Sequence, residues 1–310
     1  MSATGQTGSV AMPSEELLKA RIVEFVRRAS TEITPSAEKH LAELANILPP
    51  ATPIYVAHPP NASLEKVLST ALAVQAAGFI AVPHIVARRI TYPQTLRTTL
   101  AKLTHGGVRR LLLVAGDASR VAGEFADTLD VLNSGILEES GIVRLDVAGY
   151  PEGQKNVGAS LLWEALEAKQ AFAARSGLEM HIVTQFGLNA TAVGDWAAAL
   201  ARKNISLPVH VGIAGPAPLS KLIRFAMLCG IGSSLRTVMH NLSGVGSLSE
   251  LATSPDKHVM HLMELPSSAH IIAPHFFAFG GVLETARWIQ QVADGRFSLD
   301  VLGRRFTVAA

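Results

Sequence analysis

Short apolar runs alternate along this chain with longer segments whose apolar positions return at helical spacing. Leu17, Leu18, Ile22, Phe25 and Val26 keep that spacing between Ser14 and Arg28, which predicts a helix ahead of the first strand. Residues 29–33 read as a strand running into Glu32-Ile33-Thr34-Pro35, and Ser36 is placed to cap a helix that continues to about Ile47. Pro49, Pro50 and Pro53 stop it. The unit then recurs. Strands are predicted over 54–57, 79–84, 110–115, 144–149, 181–186, 208–211 and 268–277, and helices over 63–77, 93–105, 125–139, 159–175, 193–203, 219–229 and 283–292. The Gly/Ser-rich stretch 230–249 reads as further helices joined by tight turns.

Strands alternating with helices over this length predict an α/β fold, an eight-stranded parallel (β/α)8 TIM-type barrel with an extra N-terminal helix. Residues 1–13, small and polar, read as a disordered leader, and 14–310 as one barrel domain. The rival is a doubly wound open sheet. No Gly-x-Gly-x-x-Gly follows any strand, which removes that fold's usual dinucleotide-binding argument.

In a barrel of this kind the chemistry sits at the carboxyl ends of the strands. Here those ends carry Glu32, His58, His84, Asp117, Tyr150 with Glu152, Gln185, His210 and His275. Thr184-Gln185 ends an otherwise apolar strand, and a neutral amide that donates and accepts suits a heterocycle; a strand-end Gln can equally cap its own loop. No pair of these residues has metal-ligand spacing, so no metal is expected, and no Gly-x-Ser-x-Gly elbow supplies a nucleophilic serine. The set suits proton transfer and the orientation of a ligand that brings its own reactivity.

Composition narrows the partners. The chain has 310 residues, a formal net charge of +2 and 17% charged residues, with no Lys/Arg run, which gives no reason to expect nucleic acid. No apolar run approaches the roughly 20 residues a membrane span needs, and no apolar leader follows a charged N-terminus. Cys229 is the single cysteine, so the expected compartment is the reducing cytoplasm. A homo-oligomer is compatible with the sequence.

Glu32-Ile33-Thr34-Pro35, Pro83-His84, Leu111-Leu112-Leu113-Val114-Ala115-Gly116-Asp117, Gly149-Tyr150-Pro151-Glu152, Val183-Thr184-Gln185-Phe186 and Gly212-Ile213 occur in an order that resembles the methylenetetrahydrofolate reductases, over roughly residues 28–288. The resemblance implies hydride transfer from NADH or NADPH, through FAD, to methylenetetrahydrofolate, with tetrahydrofolate as the partner. It implies that Glu32 is a general acid, which requires a pKa raised by burial. Asp117 would sit near flavin and folate, Gln185 would bind the pterin, and His84, Gly116 and Tyr150 would line the flavin. Gly116 and Gly212 would let backbone approach a flat ring closely.

Departures from the family pattern accompany the match. Ala115 stands where an Arg is usual, Gln154 where a His would reach the cofactor, and Leu219 where a Phe helps sandwich the substrate. Lys169 alone matches the residues offered to the flavin's ribityl and phosphate part. Direct NAD(P)H-to-folate transfer without flavin, a pterin- or folate-dependent methyltransferase, and a barrel that has lost catalysis and only binds folate are the alternatives.

Overall fold

The computed structural model describes residues 14–117, 120–187, 189–228, 252–265, 270–300 and 305–308. The predicted leader and the 230–249 stretch lie outside them. Eight parallel strands close into a barrel: β1 (Ser30–Ile33), β2 (Pro53–Val56), β3 (Ile80–Val86), β4 (Arg110–Val114), β5 (Arg144–Gly149), β6 (Glu179–Thr184), β7 (Val209–Ala214) and, after a small hairpin of β8 (Ala217–Pro218) with β9 (Ala252–Thr253), β10 (Ile271–Phe277). β10 pairs with β7 on one side and with β1 on the other, and that last pairing seals the barrel. A second hairpin joins β11 (Phe297–Asp300) to β12 (Arg305–Val308). The fold is the (β/α)8 barrel that the alternation predicted.

The first helix runs Glu15–Arg27, with the Ser14 hydroxyl accepting from Leu17 N at its N-cap and Leu18, Ile22, Phe25 and Val26 buried. It packs on β10 and on the closing helix Val282–Ala293. Several boundaries differ from the reading by periodicity. The stretch 125–139 holds only the short helix Thr128–Leu132, because a capping box at Asp127 and Asp130 starts it and the 133–141 turns end it. β3 continues past His84 to Val86, and β7 continues through Gly212 to Ala214. Among the described residues no helix is long and apolar enough to cross a membrane.

Side chains alternate across each strand, and the alternation decides what fills the barrel. Outward-facing Ile54, Val56, Leu111, Leu113, Leu145, Val147, Ile182, Val209, Val211 and Ile213 join the main core between strands and helices. The interior has an apolar waist of Tyr55, Val82, Leu112 and Val183. Beside it lies a buried polar network. Tyr55 Oη donates to Asp146 Oδ2 at 2.5 Å, Arg144 Nε donates to Asp146 Oδ1 at 2.8 Å, and Arg144 Nη2 reaches His210 Nε2 at 2.9 Å. His181 Nδ1 lies 2.9 Å from the same His210 nitrogen, and His181 Nε2 meets Glu179 at 2.7 Å.

His210, read from sequence as a strand-end residue, is therefore interior. β7 runs four residues beyond it, so its ring lies well below the mouth. Burial first, then the neighbouring Arg144, pushes its pKa down to about 2 and keeps it neutral.

Asp146 is fully buried and is the acceptor for both Arg144 and Tyr55. Asp146→Ala takes away the close carboxylate partner of a buried guanidinium, leaving it Glu179 at 3.9 Å, and is expected to cost about 3–5 kcal/mol of folding stability in urea unfolding. A loss below about 1 kcal/mol would mean that the network is not what holds the interior.

Candidate functional site

β1 carries Glu32 up to the carboxyl end of the barrel, in register with Tyr55 on β2 and Phe277 on β10. From β3, His84 Nε2 comes within 3.3 Å of Glu32 Oε2, and the two side chains are only 14% and 19% exposed. Burial pushes the Glu32 carboxyl up, but His84 and the field of His275 outweigh it and hold the group below its ordinary value. The general-acid role, which needed a raised pKa, is corrected by this pairing: Glu32 is a carboxylate at neutral pH.

Beneath it lies His275, also read from sequence as a strand-end residue. It sits inside β10, fully buried, with Nδ1 2.8 Å from Ser30 Oγ and its ring 4.4 Å from that of Tyr55. Burial lowers its pKa to about 4, although Glu32 pulls the other way.

The remaining predicted residues lie on other strand ends, loops and helices. Asp117 follows β4 and is exposed, and its charge contributes, after burial, to pushing the Tyr150 phenol up to about 12. Gln185 follows β6, where its carbonyl accepts from Thr184 Oγ1 at 3.0 Å. Thr184 Oγ1 also accepts from Gly212 N at 2.8 Å. A Cβ at Gly212 would strike the Thr184 and Gln185 backbone, so this glycine serves the packing of two strand ends, not the approach of a ligand. Gly116 holds φ +92°, and a Cβ there would meet the Val86 side chain. Leu219 is buried at the start of the helix Leu219–Leu228. Gln154 bridges to Val157 within its own loop, and Lys169 is buried in the helix Ala159–Ser176.

An aromatic group at the mouth was missed by the sequence reading. Phe186, Phe277, Phe279 and Phe225 contact one another, with Phe186–Phe279 centroids 4.8 Å apart and Phe225–Phe279 centroids 4.6 Å apart. Phe279 holds φ +46°, a left-handed conformation that is strained for a bulky side chain and is found preferentially at ligand clamps. The signal was there in Phe276-Phe277-Ala278-Phe279, which continues past the end of a strand with no polar tip.

Tyr150 and Lys169 share a cavity of about 150 Å³ walled by Trp163 and Trp196, well below the roughly 300–1,000 Å³ typical of ligand pockets. Ala115 and Gln154 add no cation to it. Among the described residues no group of three or more His, Cys, Asp or Glu is placed to hold a metal ion.

No family model matches the chain. Solved structures that it resembles include dihydropteroate synthase from Thermus thermophilus, at 13% identity and TM-score 0.45 over 86% of this chain and 93% of that one. Others are a protein from Burkholderia cenocepacia assigned as a lyase/mutase, at 12% identity and TM-score 0.47 over 87% and 84%, and oxaloacetate acetylhydrolase bound to 3,3-difluorooxalacetate, at 12% and 0.46 over 86% and 78%. At these values they carry no argument about individual residues.

None of these is a methylenetetrahydrofolate reductase. That resemblance is corrected accordingly, and with it the oxidoreductase reading and its hydride transfer from NADH or NADPH. The physical reason lies in the motifs themselves. Most are apolar strands running into polar tips, a pattern that recurs wherever barrel strands end at a mouth.

His275 generates a test of the buried interior. The unfolded chain protonates this histidine as pH falls through about 6.5, while the folded one stays neutral down to about 4. Between those values the unfolded state binds more protons, so stability falls as pH is lowered. Replacing it, as in His275→Leu, is expected to flatten the stability–pH slope over pH 6.5–4.5 by about 1.4 kcal/mol per pH unit. An unchanged slope in urea unfolding would place a charged or solvated imidazole here instead.

Proposed function

We propose that this protein is a barrel enzyme that binds a flat, polar-edged heterocycle of the pterin class at the carboxyl end of its strands, and that Glu32 acts there as a base or as the counter-charge to a developing cation. The observation that carries this reading is the Glu32–His84 pair, largely buried beside an aromatic wall. A carboxylate kept ionised in a poorly solvated mouth stabilises positive charge on a reacting ring far better than it would in water. It can also accept a proton from such a ring, with His84 adjacent to share it.

The aromatic wall supports a flat ligand, since ring faces stack on Phe277 and Phe279 with little loss of side-chain freedom. Gln185 after β6 and Asp117 after β4, with β5 between them, offer amide and carboxylate partners suited to the donor and acceptor edge of a pterin. Tetrahydrofolate, which carries that ring, is the probe of choice for binding.

Titration with tetrahydrofolate and with a simple pterin, followed by ligand fluorescence, is expected to give saturable binding. Phe277→Ala should weaken it by about 3- to 10-fold, from the loss of one aromatic contact worth roughly 0.5–1.5 kcal/mol. The absence of saturable binding of either ligand would remove the pterin class. Glu32→Gln should leave binding within about 3-fold while lowering turnover, once a substrate is found, by about 100- to 10,000-fold. Retained turnover would make Glu32 a structural residue.

A further inference from the structure

The helix Ala159–Ser176 buries a lysine in its third turn. Lys169 is only 6% exposed, yet no hydrogen bond or ion pair reaches it among the described residues. Asp127 is the opposing charge it feels, at a distance, and that carboxylate is already engaged by the backbone N–H groups of Leu129 and Asp130. Desolvation without a partner pushes the amine down to about 8. A buried ammonium left so is costly unless something else supplies the missing anion.

Lys169 lines a cavity. About 150 Å³ in volume, it is lined by Tyr150, Trp163, Leu166 and Trp196 together with small apolar residues, and Pro151 and Gly153 of the loop after β5 complete the wall. Trp163 and Trp196 lie nearly parallel at 6.2 Å, which fixes one side. Gly149 at the end of β5 makes room for that side, since a Cβ there would come within 3.0 Å of the Trp196 ring and 2.5 Å of Ile182. The Tyr150 phenol, pushed up to about 12, stays protonated and available to donate, with no hydrogen-bond partner among the described residues.

Size and lining restrict the occupant. An apolar cavity of roughly 150 Å³ holds a benzene-sized ring, and three aromatic walls favour a flat one. The single ammonium balances one negative charge, so a dianionic phosphate would remain half compensated. We propose that this cavity is a binding site for a small aromatic carboxylate of the benzoate class, its ring against Trp163 and Trp196 and its carboxylate on Lys169, separate from the Glu32–His84 pair and independent of what that pair does.

Sodium benzoate titrated into the whole protein, read by calorimetry and tryptophan fluorescence, tests this, with benzamide as the neutral isostere. Saturable binding is expected, about ten-fold or more tighter for benzoate than for benzamide, as one charge-assisted contact provides. Affinity should decline as pH rises through about 8, where the free amine loses its proton. Lys169→Met should reduce benzoate to the level of benzamide and abolish the pH dependence. Its melting temperature should not fall, because the variant removes an unpaired buried charge. No saturable benzoate binding, equal affinity for benzoate and benzamide, or an affinity that stays flat from pH 7 to 9 would each overturn the proposal in wild-type protein alone. Wild-type benzoate affinity in Lys169→Met would overturn it too.

Discussion

Asp146 inside the barrel is the group on which the interior depends. Its carboxylate accepts from Tyr55 and Arg144 at once, and Arg144 then reaches His210 on the opposite side. An ionised group so deep persists only because every partner is a donor aimed at it. The Tyr55 ring, pinned by that bond, lies against His275, and Glu32 stands above in register with Tyr55. The mouth therefore rests on a polar scaffold that has few alternative arrangements, since moving any member strands a charge.

That scaffold also explains the character of Glu32. A carboxyl group in an apolar pocket would be neutral and would act as an acid. Here His84 and His275 share the pocket, and their combined effect exceeds the cost of burial. The chemistry at the mouth is thus set by the strands beside β1 as much as by β1 itself, which is why reading Glu32 within its own tetrapeptide led to the opposite protonation state.

The barrel was legible because its signal is long-range and repetitive: apolar runs separated by helical periods, ending at proline or glycine. Much of the site was less so. Glu32, His84, Asp117 and Gln185 announced themselves as polar residues closing apolar runs. His181 went unnoticed and His210 was read as a strand end, because in a strand with both faces buried an inward histidine and an outward isoleucine look like one continuous stretch. Period-2 inspection of Arg144-Leu145-Asp146-Val147 would have exposed the buried ion pair. Only the Phe277 and Phe279 part of the aromatic wall was legible, because Phe186 and Phe225 join it only through the fold. Lys169 was named only as a match to a flavin-binding position; its cavity depends on Trp163 and Trp196 lying side by side.

The seam between β1 and β10 joins residues some 245 positions apart, and the site straddles it: Glu32 on one lip, His275 and Phe277 on the other. A chain emerging from the ribosome can pair β2 to β7 in succession, but it holds Glu32 in a half-built, solvated groove until β10 arrives. Loop closure of that length is slow, so barrel closure and acquisition of the charged, shielded mouth become one event.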